Sequence, residues 1–109
     1  MIPTRLDAKN PDAWVGDALF QPESRAAFRS IVNLGYTDAV RQVHGDKPDL
    51  YTFWDYQAGA WQRNNGIRID HLLLSPQCAD LLRDAGIDKA VRGGEKPSDH
   101  VPVWVDLDA

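Results

Sequence analysis

Apolar residues recur at helical spacing from Pro22 to Leu34, where Ala26, Ala27, Phe28, Ile31, Val32 and Leu34 fall on one repeat. Pro22 occupies an allowed early position and Gly35 follows as a stop, so a helix is predicted there, with Gln21 a weak cap. A second, shorter helix is predicted from Thr37 to His44, capped by Thr37 and ended by Gly45. Asp46 to Leu50 reads as loop, and Thr52-Phe53-Trp54 as a short strand of β-favouring residues. After a polar loop from Gln57 to Gly66, the run Ile67 to Leu74 is the clearest strand. It is broken only by Arg68, Asp70 and His71, the pattern of a strand buried on both faces. Ser75 then caps a predicted helix whose stripe is Cys78, Leu81, Leu82 and Ala85, closed by Gly86. Two more strands are predicted, Ile87 to Val91 and Val101 to Val105, the latter at an edge or bulge because of Pro102. Residues 1–20, interrupted by Pro3 and Pro11, read as an irregular lead-in pinned by Trp14 and Phe20. The alternation of helices with strand pairs predicts an α/β fold: one mixed or antiparallel sheet with helices on one face.

Length and composition narrow this picture. At 109 residues the chain is one domain or part of one. No apolar run approaches the length that spans a bilayer, and Met1-Ile2-Pro3-Thr4-Arg5 lacks the apolar core of a signal peptide, so no membrane partner is expected. A single Cys78 forms no internal disulfide, which fits a reducing cytoplasm; on a helix it reads as a small apolar filler. The net charge of −4 gives no support to nucleic-acid binding, which normally shows as a basic surface. Within residues 57–100, however, Arg63, Arg68, Arg83, Lys89, Arg92 and Lys96 balance Asp70, Asp80, Asp84, Asp88, Glu95 and Asp99. If some of those acids are site residues, Arg63, Arg68, Arg92 and Lys96 are free to meet phosphate.

The candidate chemistry lies in two stretches. Asp70 sits amid Ile69, Leu72 and Leu73, where a carboxylate without a partner would be costly. Ser98-Asp99-His100 places an acid and an imidazole on a loop before the last strand. Delivered to one sheet edge, Asp70 and His100 would form a pair in which the carboxylate holds the imidazole for work on a phosphate or carbonyl. From spacing alone this is weak, since Asp99 also suits an ordinary turn. His71, on the opposite face of the strand from Asp70, is expected to be structural. His44 reads as an exposed side chain near a helix C-terminus.

The wording around these residues is more specific than their spacing. Tyr51-Thr52-Phe53-Trp54-Asp55-Tyr56, Asn65-Gly66-Ile67-Arg68-Ile69-Asp70-His71 and Ser98-Asp99-His100-Val101-Pro102 together resemble the C-terminal half of exonuclease III, a bacterial abasic-site endonuclease of the endonuclease/exonuclease/phosphatase superfamily. The resemblance covers nearly the whole chain, including Pro22-Glu23-Ser24-Arg25 and Gly35-Tyr36-Thr37-Asp38-Ala39, and makes residues 1–109 part of one such domain. The family's N-terminal half, with its metal-binding Asn and Glu, catalytic Tyr and Gly-Asp-x-Asn motif, has no counterpart in this sequence.

The resemblance implies half of a four-layered α/β sandwich with an open sheet face, and Mg²⁺-dependent phosphodiester hydrolysis, with Mn²⁺ as the alternative ion. The implied substrate is duplex DNA with abasic sites or 3′ ends. It implies that His100 contacts the scissile phosphate, that Asp70 orients His100, and that Asp99 contributes to the metal site. Phe53, with Ile67 and Ile69, would line the pocket for an extruded abasic sugar, and Trp61, Arg63, Asn65 and Arg68 would meet DNA. The chain would then be a fragment, inactive alone, that needs its N-terminal half. Two alternatives stand beside this: a non-catalytic domain that self-associates through the open sheet face, and a superfamily phosphatase acting on small phosphoesters.

Overall fold

The computed structural model describes residues 1–108. Helix α1 spans Pro22–Asn33 and α2 spans Ala39–His44; between them Thr37–Asp38 form a short strand, β1. The chain then runs without regular structure to β2, Leu73–Leu74, followed by one turn of helix, α3, at Pro76–Ala79. Strands β3, Leu82–Ile87, and β4, Val103–Leu107, pair antiparallel, as do β1 and β2. The fold is α/β, but it holds two small two-stranded sheets among the described residues in place of the single sheet expected.

α1 keeps its expected bounds. α2 starts later than predicted: Thr37 enters β1, and the Asp38 carboxylate accepts the Arg41 N–H as the cap. The largest correction concerns the region after Ser75. Ser75 does cap a helix, its hydroxyl accepting from Cys78 N, yet that helix ends at Ala79, and Leu82–Ile87 is extended. Tertiary pairing overrides local preference here. Ala85 is buried against Ala39 and Val40, and β3 lies along β4 from Ile87–Val103 to Leu82–Leu107. Gly86 does not stop a helix: a Cβ there would lie 2.6 Å from the Trp104 ring, so glycine is what admits the indole. Ile87 therefore ends a strand where it was expected to begin one, and Lys89–Gly93 form a 3-10 turn. Pro102 precedes β4, and its carbonyl accepts from Asp88 N.

The expected long strand from Ile67 to Leu74 is regular only at Leu73–Leu74. Its beginning belongs to a patch of single antiparallel bridges that sets Ala8, Ile67, Phe53 and His100 side by side. Ile67 exchanges backbone hydrogen bonds with Phe53, and Trp54 N and Thr52 O pair with Asp99 O and Val101 N, on either side of His100. Gly66 permits this close approach, because a Cβ there would lie 2.7 Å from both Tyr51 and Trp54.

Among the described residues three apolar clusters form the core. The lead-in contributes directly to one of them, Ile2, Ala8, Phe20 and Ile67, with Trp14, Leu19, Phe53 and Ile69 at its border. Tyr51, Trp54, Ala60 and Val101 form the second, and Ala39, Val40 and Ala85 the third. Residues 1–20 are irregular, as expected, but contain three short 3-10 turns, at Arg5–Asp7, Pro11–Trp14 and Ala18–Phe20. Among the described residues no helix is long and apolar enough to cross a membrane.

Candidate active site

Asp70 and His100 meet. The Nδ1 of His100 lies 2.7 Å from Asp70 Oδ2, and both side chains are part-exposed, at 43% and 39%. Because a carboxylate only accepts, the neutral imidazole donates from Nδ1 and keeps Nε2 for a ligand. The Phe53 ring stands edge-on to the His100 ring, 5.1 Å between centroids, and is itself half-buried. Asp99 is adjacent and half-buried, with its carbonyl held by Trp54 N. Ser98 Oγ accepts from His100 N at 3.1 Å and closes the turn.

Asp70 itself rides on an irregular segment pinned from several sides. Thr52, fully buried, accepts the Ile69 and Asp70 N–H groups on its hydroxyl, at 3.1 and 3.2 Å. Arg68 N donates to Asp7 O at 2.8 Å. His71, structural as expected, donates from Nε2 to Met1 O at 3.0 Å, and its Nδ1 faces the Arg68 guanidinium at 3.3 Å. Burial lowers the pKa of the His71 imidazole from its ordinary value, the nearby arginine adding to it, against the Met1 carbonyl and Asp38, which favour the charged form.

Arg68 corrects the expectation that it meets DNA. It is 2% exposed and forms the centre of a buried ion network: its Nε donates to Asp7 Oδ1 at 2.7 Å and its Nη2 to Asp38 Oδ2 at 2.7 Å. Arg41 also pairs with Asp7. Burial on its own would push the Asp7 carboxyl up, but the hydrogen bond and charge of Arg68, with Arg41 and the Thr4 hydroxyl, outweigh it, and the group lies below the usual carboxylate range. A cavity of about 240 Å³ opens over this network, with Pro3, Leu6, Phe28 and Val32 as the apolar part of its lining. Arg92, also expected to be free, is 7% exposed and donates to the carbonyls of Trp54 and Asp55.

The other expected contacts divide in the same way. Ile67 is 1% exposed, so it supports the Phe53 region from behind and offers a ligand no surface; Ile69 is half-buried beside it. Trp61 is a packing anchor, edge-on to Trp54 at 5.0 Å and tight beneath Gly93, so the stacking role expected for it is not supported. Asn65 is engaged with Asn10, whose Nδ2 donates to its Oδ1 at 2.8 Å. Arg63 is exposed, as is Lys96. His44, expected to be exposed, is half-buried with Nε2 at 2.7 Å from Ala85 O.

Sequence reasoning missed Thr52, Asp7 and Asp38. A signal existed for the two acids: an arginine between two isoleucines, in an otherwise apolar run, needs buried carboxylates. For Thr52 the only cue was its place beside Phe53 in a short extended stretch.

Asp99 is one hard oxygen donor beside His100, but among the described residues no group of three His, Cys, Asp or Glu side chains could hold a metal ion. A Mg²⁺ ion commonly takes only one or two protein carboxylates and completes its shell with water and phosphate. The residues present fit one contributing ligand and fall short of a whole site.

No family model matches the chain. It is 35% identical over 101 residues to exodeoxyribonuclease III of Haemophilus influenzae, a match covering 91% of this chain and 38% of that protein. To the DNA repair nuclease APEX1 of Danio rerio it is 36% identical over 102 residues, covering 94% of this chain and 32% of that protein. Among solved structures, a 3′ phosphatase from Neisseria bound to product DNA hairpin superimposes with a TM-score of 0.92 at 38% identity. All of this chain and 42% of that one are covered. An AP endonuclease from Archaeoglobus fulgidus gives 0.91 at 34% identity, with the same coverage. The chain spans well under half the length of each of these relatives, and the matches lie in their C-terminal part.

Proposed function

We propose, from the likeness of this chain to the C-terminal part of exonuclease III and AP endonucleases, that it supplies one wall of a DNA-repair nuclease site. The observation that carries the reading is the Asp70–His100 pair, part-exposed, edged by Phe53 and followed in space by Asp99. Asp70 fixes the imidazole so that Nε2 is presented to a phosphate oxygen. Phe53 gives the apolar side of a pocket for a sugar without its base, and Ile69 borders it. Arg63 and Lys96 are the exposed cations best placed in sequence to meet backbone phosphate. The substrate class is duplex DNA with abasic sites or blocked 3′ ends; the Neisseria relative, described as a 3′ phosphatase on a DNA hairpin, supports action at 3′ ends.

Asp99 would hold a divalent cation, Mg²⁺ in our reading, together with groups from the part of the relatives that this chain does not span. When bound, that ion neutralises charge developing on the phosphate. Lone Cys78 is half-buried and free, which suits a reducing cytoplasm.

Incision of a duplex carrying one abasic site, with Mg²⁺ present, tests the reading. The chain alone is expected to cleave little. A chimaera in which it replaces the corresponding part of the Haemophilus enzyme is expected to cleave, and His100→Ala in that chimaera to slow turnover by about 10²–10⁴-fold. A folded chimaera that leaves the duplex intact would overturn the proposal. Cleavage by the chain alone, lost with His100→Ala, would show instead that these residues form a working site unaided.

A further inference from the structure

We infer that Thr52 is the positioning residue of the Asp70–His100 pair: its buried hydroxyl fixes the Asp70 backbone while its main chain holds the segment that carries His100. The inference rests on the functional reading above only for its consequence in catalysis; the geometry stands without it.

Both members of the pair arrive on segments that lack a regular ladder. Asp70 follows Ile67, the last residue of its segment to bridge Phe53, and no strand is regular again before Leu73. The backbone N–H groups of Ile69 and Asp70 would be left without partners there. Both converge on Thr52 Oγ1, at 3.1 and 3.2 Å, which uses the two lone pairs of one hydroxyl. On the other side, Thr52 O accepts from Val101 N at 2.9 Å, the residue that follows His100. Thr52 N donates to Ile67 O at 2.9 Å, completing the grip on the Asp70 segment. One fully buried residue thus touches the backbone next to each partner.

Serine or threonine alone serves this purpose. Valine matches the shape of threonine but offers no acceptor, so two adjacent amides lose their partner at once. The expected result is a local loosening of residues 69–70. That shifts the carboxylate away from the 2.7 Å contact it now makes with His100 Nδ1. A chance packing threonine would behave differently, since valine fills the same volume.

The test is NMR of the full chain, which reads the pair without needing nuclease activity and so separates failure of this inference from failure of the proposed function. In the native chain the Ile69 and Asp70 amides should exchange slowly with solvent, and His100 should show an Nδ1–H proton resonance shifted downfield by its carboxylate partner. Thr52→Val should lose the His100 resonance and the protection of both amides, while Thr52→Ser should retain both. Unchanged His100 and amide signals in a folded Thr52→Val variant would overturn the inference. So would rapid exchange of both amides in the native chain, a measurement that stands even if the valine variant fails to fold.

Discussion

Only Ile69 separates Arg68 from Asp70, and each side chain is tied to a polar partner, but the two pairings live in different surroundings. Arg68 is almost wholly covered and has two carboxylates, Asp7 and Asp38, closing on it. Asp70 and His100 remain part-exposed and have only each other. Burial makes the first pair expensive to break from one side, because the partner left behind is a charge without solvent. Exposure makes the second cheap to alter in stability, and leaves His100 reachable by a ligand. Two charges of one short segment thus divide the labour by burial: one anchors the segment and the other stays open to solvent.

The comparison breaks most sharply at Arg68. Arg68→Met should destabilise the chain by about 3–5 kcal/mol, read as a large drop in the urea midpoint, because Asp7 and Asp38 lose their shared partner. Acid unfolding sharpens it further. The Asp7 carboxyl is depressed in the folded state, so its contribution is full above the unfolded value of about 3.9 and is lost as pH falls through the lower folded value. In Arg68→Met this acid-linked loss should shrink, so the stability gap between the variant and the native chain should narrow as pH falls through that range.

A smaller effect belongs to His71. Its imidazole is held neutral in the fold, so below the unfolded value of about 6.5 the unfolded chain binds a proton that the folded chain refuses. Stability should fall as pH drops from there toward the folded value, and His71→Phe should flatten that part of the profile. The smallest expected change is Asp70→Asn. The part-exposed pair should cost less than about 1 kcal/mol in thermal unfolding, after solvent screening. In the chimaera the same variant should cut abasic-site incision while leaving the melting curve nearly in place. An Asp70→Asn change as damaging to stability as Arg68→Met would erase the distinction between the two pairs.

The same contrast explains what could be read from the sequence. Helix α1 was legible because its apolar spacing, Pro22 and Gly35 all agree locally. The Asp70–His100 pairing was legible from wording, and the structure places the two within a hydrogen bond. The extended run after Ile67 misled, because a continuous apolar stretch resembles a buried strand whether its amides are satisfied by a neighbouring backbone or by one threonine hydroxyl. Leu82–Ile87 misled in the opposite direction: Leu81, Leu82 and Ala85 match a helical stripe, and only the β4 partner and the Trp104 ring over Gly86 decide for a strand. Arg68 was misjudged for a related reason. Its counterions, Asp7 and Asp38, lie far away in sequence, on the lead-in and at the start of α2.

The patch that sets Ala8, Ile67, Phe53 and His100 side by side also bears on how the molecule is assembled. α1 and α2 close through near neighbours and need no distant partner. The patch joins positions spread along most of the chain, so its loop-closure entropy must be overcome before any of its bridges is rewarded. Such contacts form late and dominate the folding barrier of a small domain. In refolding, the helical signal should therefore recover ahead of the His100 environment, and the chain would pass through a stage that is helical, compact and without its chemistry.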